Sequence, residues 1–261
     1  MLQKERIIIL ILLEENHNIY MAIQFLQAKW KNLVMANYAV DPALLEPLLP
    51  AGTKLDYYQG KAYVSLVGFL FAKTKIFGIP VPRFGTFEEI NLRFYVVRNE
   101  GNIKRRGVVF VNEAVPFKPV ARIANFLYKE HYTVLPTKHY WDKNSRNRLI
   151  EYYWENKGNW NAIKVEADTD YRAMAIGSME EFILEHYHGY TKVNETVSES
   201  YQIDHVRWMT FPVRSYDIDC DFGSMYGPSF AHLTGEDPSS VMLARGSDVY
   251  INLKRQKIEI S

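Results

Sequence analysis

Between Glu88 and Arg98 (EEINLRFYVVR) apolar and polar side chains exchange places residue by residue. Ile90, Leu92, Phe94 and Val96 fall on one face of an extended chain, and Glu89, Asn91, Arg93 and Tyr95 on the other. Period two over this length marks a strand with one face on a core and one face polar or turned to a cavity. Arg106–Glu113 (RGVVFVNE) follows across Asn99–Lys104, so the two segments are expected to pair as an antiparallel hairpin. A chain built round such a hairpin is restricted to antiparallel sheet architectures.

Other segments agree. Asn32–Val40 (NLVMANYAV) and Tyr63–Phe71 (YVSLVGFLF) read as strands, the second with Gly68 as a bulge or bend. Asp41-Pro42 supplies an N-cap and a proline at the first helical position, opening a short helix over Ala43–Leu49. Gly78-Ile79-Pro80-Val81-Pro82 is expected to be a stiff loop without regular structure. Pro119 opens a helix that continues to Tyr128. Strands are expected around His139–Trp141, Arg148–Trp154 and Trp160–Ala167, the last two separated by Lys157-Gly158-Asn159. Ser178-Met179-Glu180-Glu181 has the form of a capping box, which predicts a helix over Met179–His186. A short helix is expected around Asp221–Phe230, then two strands across Arg245-Gly246-Ser247-Asp248. Short helices among hairpins argue for an α+β fold rather than a βαβ array.

Aromatic residues make up 14% of the chain, and their large buried areas suit well-filled sheet faces. Thirty-one basic residues face thirty acidic ones, so no concentrated positive surface for nucleic acid is expected. Lys104-Arg105-Arg106 reads as a solvated turn. The single Cys220, between Asp219 and Asp221, excludes an internal disulfide and is a poor nucleophile. Ile7–Leu13 (IIILILL) spans about 10 Å as a helix against a hydrocarbon core of about 30 Å. Without a small-residue cleavage pattern after it, a cytoplasmic protein with no membrane partner is expected.

Several segments together resemble the YqjF-like family. They are Ala36-Asn37-Tyr38, Leu48-Leu49-Pro50-Ala51-Gly52-Thr53, Ala62–Phe69, Phe87–Val96, Arg106–Phe110, Ala124–Tyr128, Gly177-Ser178 with Glu181-Phe182-Ile183, and Glu185–Thr191. The resemblance covers about residues 27–250 and begins after Met21. Residues 1–20 are accordingly expected to be an extension, read as an artefact upstream of the native start, and 21–261 a single domain. The family is grouped with acetoacetate-decarboxylase-like proteins. That grouping implies a mainly antiparallel, twisted, cone- or barrel-like sheet around a central pocket, with short flanking helices.

In the decarboxylase a pocket lysine forms a Schiff base with a β-keto acid, which requires an unprotonated amine. The resemblance carries Glu113 onto the decarboxylase's strand-end glutamate. The Tyr-Pro-Lys-Lys segment has no counterpart, since no Lys-Lys pair occurs anywhere in the chain. Lys118 and Lys129 are the substitute candidates, although Glu130 beside Lys129 favours its charged form. On the polar face of the first hairpin strand, Glu89, Asn91, Arg93 and Tyr95 are candidate ligand-binding residues. Arg93 there either holds a carboxylate or forms a structural cross-strand pair with a glutamate.

His186 and His188 (Glu185-His186-Tyr187-His188) share a face only on a strand, and His186 is expected at a pocket edge rather than on a metal. No phosphate-binding glycine motif and no nucleophile elbow is present. No cofactor or metal is expected. The expected activity is binding of a small organic acid or ketone-like molecule; the alternative is a non-catalytic ligand- or partner-binding domain.

Overall fold

The computed structural model describes residues 24–128, 131–253 and 255–260. Its first half is β1 (Gln24–Val40), β2 (Lys54–Leu55), β3 (Ala62–Ile76), β4 (Ile79–Pro80), β5 (Phe87–Glu100) and β6 (Ile103–Val115). Helix α1 (Lys118–Tyr128) and β7 (Tyr132–Val134) lead to β8 (Thr137–Lys143), β9 (Arg148–Asn156) and β10 (Asn159–Ala167). After β11 (Arg172–Ala173) come α2 (Met179–Leu184), β12 (His188–Lys192), β13 (Val197–His205), β14 (Met209–Phe211) and β15 (Val213–Asp219). Helix α3 (Phe222–Tyr226), β16 (Ser240–Ala244), β17 (Asp248–Asn252) and β18 (Gln256–Glu259) complete the order.

Strand pairing curls the main sheet round on itself. Antiparallel ladders join β1 to β3, β3 to β5 and β5 to β6. A single parallel pair, Gly189 with Val108, carries the sheet from β6 to β12. From there β12 pairs β13, β13 pairs β17, and β17 returns to β1. The seam at β6–β12 needs glycine on both sides. A Cβ on Gly107 would lie 2.6 Å from the His188 carbonyl oxygen, and one on Gly189 2.2 Å from the Tyr201 ring.

The period-two pattern of β5 sorts its side chains as the sequence predicts. Ile90, Leu92, Phe94 and Val96 pack outward with Tyr152, Trp154, Ile163 and Val165 of a second sheet, ordered β15-β10-β9-β8. Tyr95 faces inward, into a core shared with Trp30, Phe69, Tyr201 and the α2 residues Phe182 and Ile183. The register between β5 and β6 slips between Leu92 and Arg93, so Arg93 opposes Phe110 while Asn91 opposes Glu113. Cross-strand partners share a face, and the one extra residue in β6 therefore turns both Phe110 and Glu113 inward.

Several local expectations are corrected. Asp41 does cap the following turn, its carboxylate accepting from Ala43 N at 2.9 Å, but Ala43–Leu49 is replaced by two 3-10 turns, Pro42–Leu44 and Glu46–Leu48. Gly68 sits in register in the β3–β5 ladder, and the irregularity lies across from it in β1, between Lys31 and Val34. Its lack of a side chain makes room for Tyr152, 3.0 Å from where a Cβ would be. Ile79 and Pro80 do pair, with Ile76 and Lys75, across a turn in which Phe77 and Gly78 have positive φ. Helix α2 ends at Leu184, which leaves His186 outside it. Two strands do flank Arg245–Asp248 as expected, and they do not pair with each other. Both run antiparallel along β1, β16 against Leu33–Asn37 and β17 against Gln24–Lys29, and the chain between them stays on β1 through Ser247 O and Arg245 O.

No helix among the described residues is long and apolar enough to cross a membrane. The expected extension over residues 1–20 lies outside the described residues.

Candidate functional site

Two adjoining chambers open on the inside of the curled sheet. The inner one, about 40 Å³, is lined by Glu89, Asn91, Arg93 and Glu113 among aromatic residues such as Trp30 and Phe69. The outer one, about 180 Å³, lies between α1 and the chain after β4, against Val81, Phe84, Val120 and Ile123. Phe71, Glu89, Tyr132, Tyr201 and Ile251 line both, so the two meet at the Glu89 and Tyr132 side chains.

Arg93 is 7% exposed, and its polar partners are all neutral. Nε donates to Tyr95 OH at 3.4 Å, and Nη2 donates to the Ile183 carbonyl at 3.4 Å and lies 3.6 Å from Met35 Sδ. Among the described residues no carboxylate reaches the guanidinium, and the structural Arg–Glu pair allowed by the sequence is not formed. A buried cation without a counter-ion is costly, and an anion brought beside it recovers part of that cost.

A directed hydrogen-bond chain fixes the arginine. Ser65 Oγ donates to Asn37 Oδ1 at 2.5 Å, so at the 2.6 Å contact between Ser65 and Tyr95 it is the phenol that donates. Tyr95 OH in turn accepts from Arg93, and the amide of Asn37 ends the chain on Ser240 Oγ at 3.0 Å. Every dipole presents its negative end towards the guanidinium, which stabilises the cation without a charge.

Asn91, 2% exposed, donates through Nδ2 to Glu89 Oε1 at 3.1 Å, while its Oδ1 has no hydrogen-bond partner. Tyr132 donates to Glu89 Oε2 at 3.4 Å. Burial first, then the neighbouring Glu113 and Glu89 charges, push its phenol well above the ordinary range, so it remains an O–H donor. Among the described residues the chamber thus brings together the Arg93 cation with two carboxyl groups, an amide and a phenol. That set can hold a carboxylate and move a proton next to it.

Of the candidates read from sequence, Glu89, Asn91, Arg93 and Glu113 line the inner chamber. Tyr95 and His186 sit behind Arg93 rather than in the lining, with their rings 4.7 Å apart. His186 is neutral, because burial drives its pKa down to about 4 despite the nearby Asp56. Its Nε2 is 3.4 Å from Asp56 Oδ2, yet neither ring nitrogen attains hydrogen-bond geometry. Lys118 is exposed at the start of α1 and lines neither chamber, which is the wrong place for a Schiff base. Lys129 lies outside the described residues. No group of His, Cys, Asp and Glu among the described residues is arranged to hold a metal. Cys220 is buried, and burial, Asp221 and Asp219 raise its thiol well above the usual range.

Tyr132 was not legible, because it stands on a three-residue strand with no periodicity to reveal its face. Asn37 and Ser65 carried a readable signal, each being a lone polar residue inside an apolar strand.

A family model described as an uncharacterised conserved protein, domain of unknown function 2071, matches residues 27–248. The chain belongs to that family. The uncharacterised protein YqjF of Bacillus subtilis (strain 168) is 31% identical over 84 residues, covering 32% of this chain and 35% of that protein. The match therefore spans about a third of that relative. Solved structures that resemble this one include an acetoacetate decarboxylase-like enzyme from Sphingomonas wittichii RW1, with TM-score 0.61, 13% identity, and coverage of 91% of this chain and 94% of that one. An acetoacetate decarboxylase from Legionella pneumophila gives TM-score 0.60 at 11% identity, covering 95% of this chain and 92% of that one. The enduracididine biosynthesis enzyme MppR, complexed with pyruvate, gives 0.59 at 11%, covering 92% and 93%. At such identities the likeness is one of fold, and the fold is acetoacetate-decarboxylase-like.

Proposed function

We propose that this protein binds a small organic acid, with the ligand carboxylate against Arg93 in the inner chamber. The observation that carries the reading is the buried guanidinium, whose partners among the described residues are neutral. A chamber of about 40 Å³ has room for a carboxylate group, since one water occupies about 30 Å³ in the liquid. Asn91 Oδ1 is free to accept from a hydroxyl or a protonated group on the ligand, and Tyr132 and Glu113 stand beside it. The reading takes residues 21–261 as one cytoplasmic domain. Calorimetric titration of organic acids against their primary amides tests it. Acids are expected to bind and amides not; equal behaviour of the two would remove Arg93 from the account.

A second reading makes the protein an enzyme acting on a keto acid, and the decarboxylase-like fold supports it. The paired lysines of that chemistry are missing from the sequence, and no described lysine lines either chamber. Borohydride reduction in the presence of keto acids separates the two readings. A mass adduct on a lysine establishes the enzyme; its absence with bound acid leaves a binding domain.

A further inference from the structure

The outer chamber adds a second requirement on the ligand. Apart from Thr74, Glu89, Tyr132 and Tyr201, its walls are apolar, from Phe25, Phe71 and Phe87 on the sheet to Val120 and Ile123 on α1. Its volume of about 180 Å³ exceeds the roughly 150 Å³ of an apolar protein cavity that takes up benzene. The two chambers meet at Glu89 and Tyr132, so one molecule extending from Arg93 through that junction occupies both.

We propose that the ligand is an amphipathic acid: a carboxylate on Arg93 joined by a short polar link to an aromatic ring or a branched or linear apolar chain of about six carbons. This rests on the acid-binding reading above and deepens it. A four-carbon acid would satisfy Arg93 and leave the larger chamber empty, forfeiting most of the apolar burial the protein offers. The junction selects the link. Asn91 Oδ1, on the inner side of the junction, accepts from a hydroxy group of such a molecule, and the Tyr132 oxygen, whose own proton goes to Glu89, offers a second acceptor.

The test is a series of acids with one common 3-hydroxy acid head and tails from methyl to decyl, with a phenyl member, titrated into the full chain. Affinity is expected to rise about fourfold per methylene until the chamber is full, then level or fall. In the Ala124→Phe variant, which narrows the outer chamber, the ratio of long-tail to short-tail affinity is expected to drop towards one. Equal affinity along the series in the unaltered protein would overturn this inference and leave the acid-binding reading standing. Tail-dependent binding that is the same for the matching neutral alcohols, and unaffected by Arg93→Gln, would overturn the acid-binding reading instead. Absence of binding by every member would overturn both.

Discussion

At the scale of single residues the interior of the curled sheet sets stability against function. Arg93 is held by oriented neutral dipoles, so removing its charge should relieve a desolvation cost that no carboxylate among the described residues offsets. Arg93→Met is expected to raise stability by about 1–3 kcal/mol, as urea unfolding would report. His186 gives the site a pH dependence of known sign. Its folded value near 4 lies below the ordinary 6.5, so between these limits the unfolded chain binds the extra proton. Stability therefore rises with pH across that window and is lost on acidification. Asp56 acts lower: burial raises its pKa, but the His186 and Arg106 contacts outweigh burial and hold it below the usual value. Its contribution is present above the ordinary aspartate value and is lost only as pH falls through the folded one. His188 and His205, also lowered by burial, add slopes of the same sign, so the single substitution isolates one share. His186→Gln should lose about 2 kcal/mol less between pH 7 and pH 5 than the parent protein. Identical pH slopes in urea unfolding would show that His186 is not the buried neutral group described.

At the scale of elements the seams decide the architecture. Gly246 has φ +76°, and a Cβ there would lie 2.1 Å from the Trp30 carbonyl oxygen, where the chain between β16 and β17 hugs β1. Gly158 has φ +85° in the β9–β10 turn, with open space around it. Gly158→Ala should cost about 1–2 kcal/mol for the left-handed backbone alone, and Gly246→Ala about 2 kcal/mol more because backbone must move. Equal costs in chemical denaturation would contradict the close approach. These two glycines also show what the sequence could and could not disclose. The turn at Gly158 was readable because two alternating runs flank it. The Arg245–Asp248 stretch carries the same turn-like composition, yet it continues along β1 rather than reversing, and only the partner strand distinguishes the cases. Likewise the alternation of β5 disclosed which residues face inward. That Glu113 joins them depends on the one-residue slip in β6, which no periodicity in that strand announces.

At the scale of the whole molecule, the curled sheet encloses a charged inner chamber that opens into a larger apolar one. The fold and the polar face of β5 were legible from local pattern and from resemblance. The chambers were not, because they form from residues of distant segments brought together by closure of the strand pairings. An acid that binds only the folded protein raises its stability by mass action, by about 2.7 kcal/mol at a hundredfold excess over Kd. The most direct measurement is thermal unfolding of the parent protein and Arg93→Met, each with and without a phenyl-substituted 3-hydroxy acid. The predicted result is a higher melting temperature for ligand-free Arg93→Met, and an acid-induced rise in the parent protein alone. A ligand-free variant that melts lower, together with an acid-induced rise of the same size in both proteins, would contradict an anion site at Arg93.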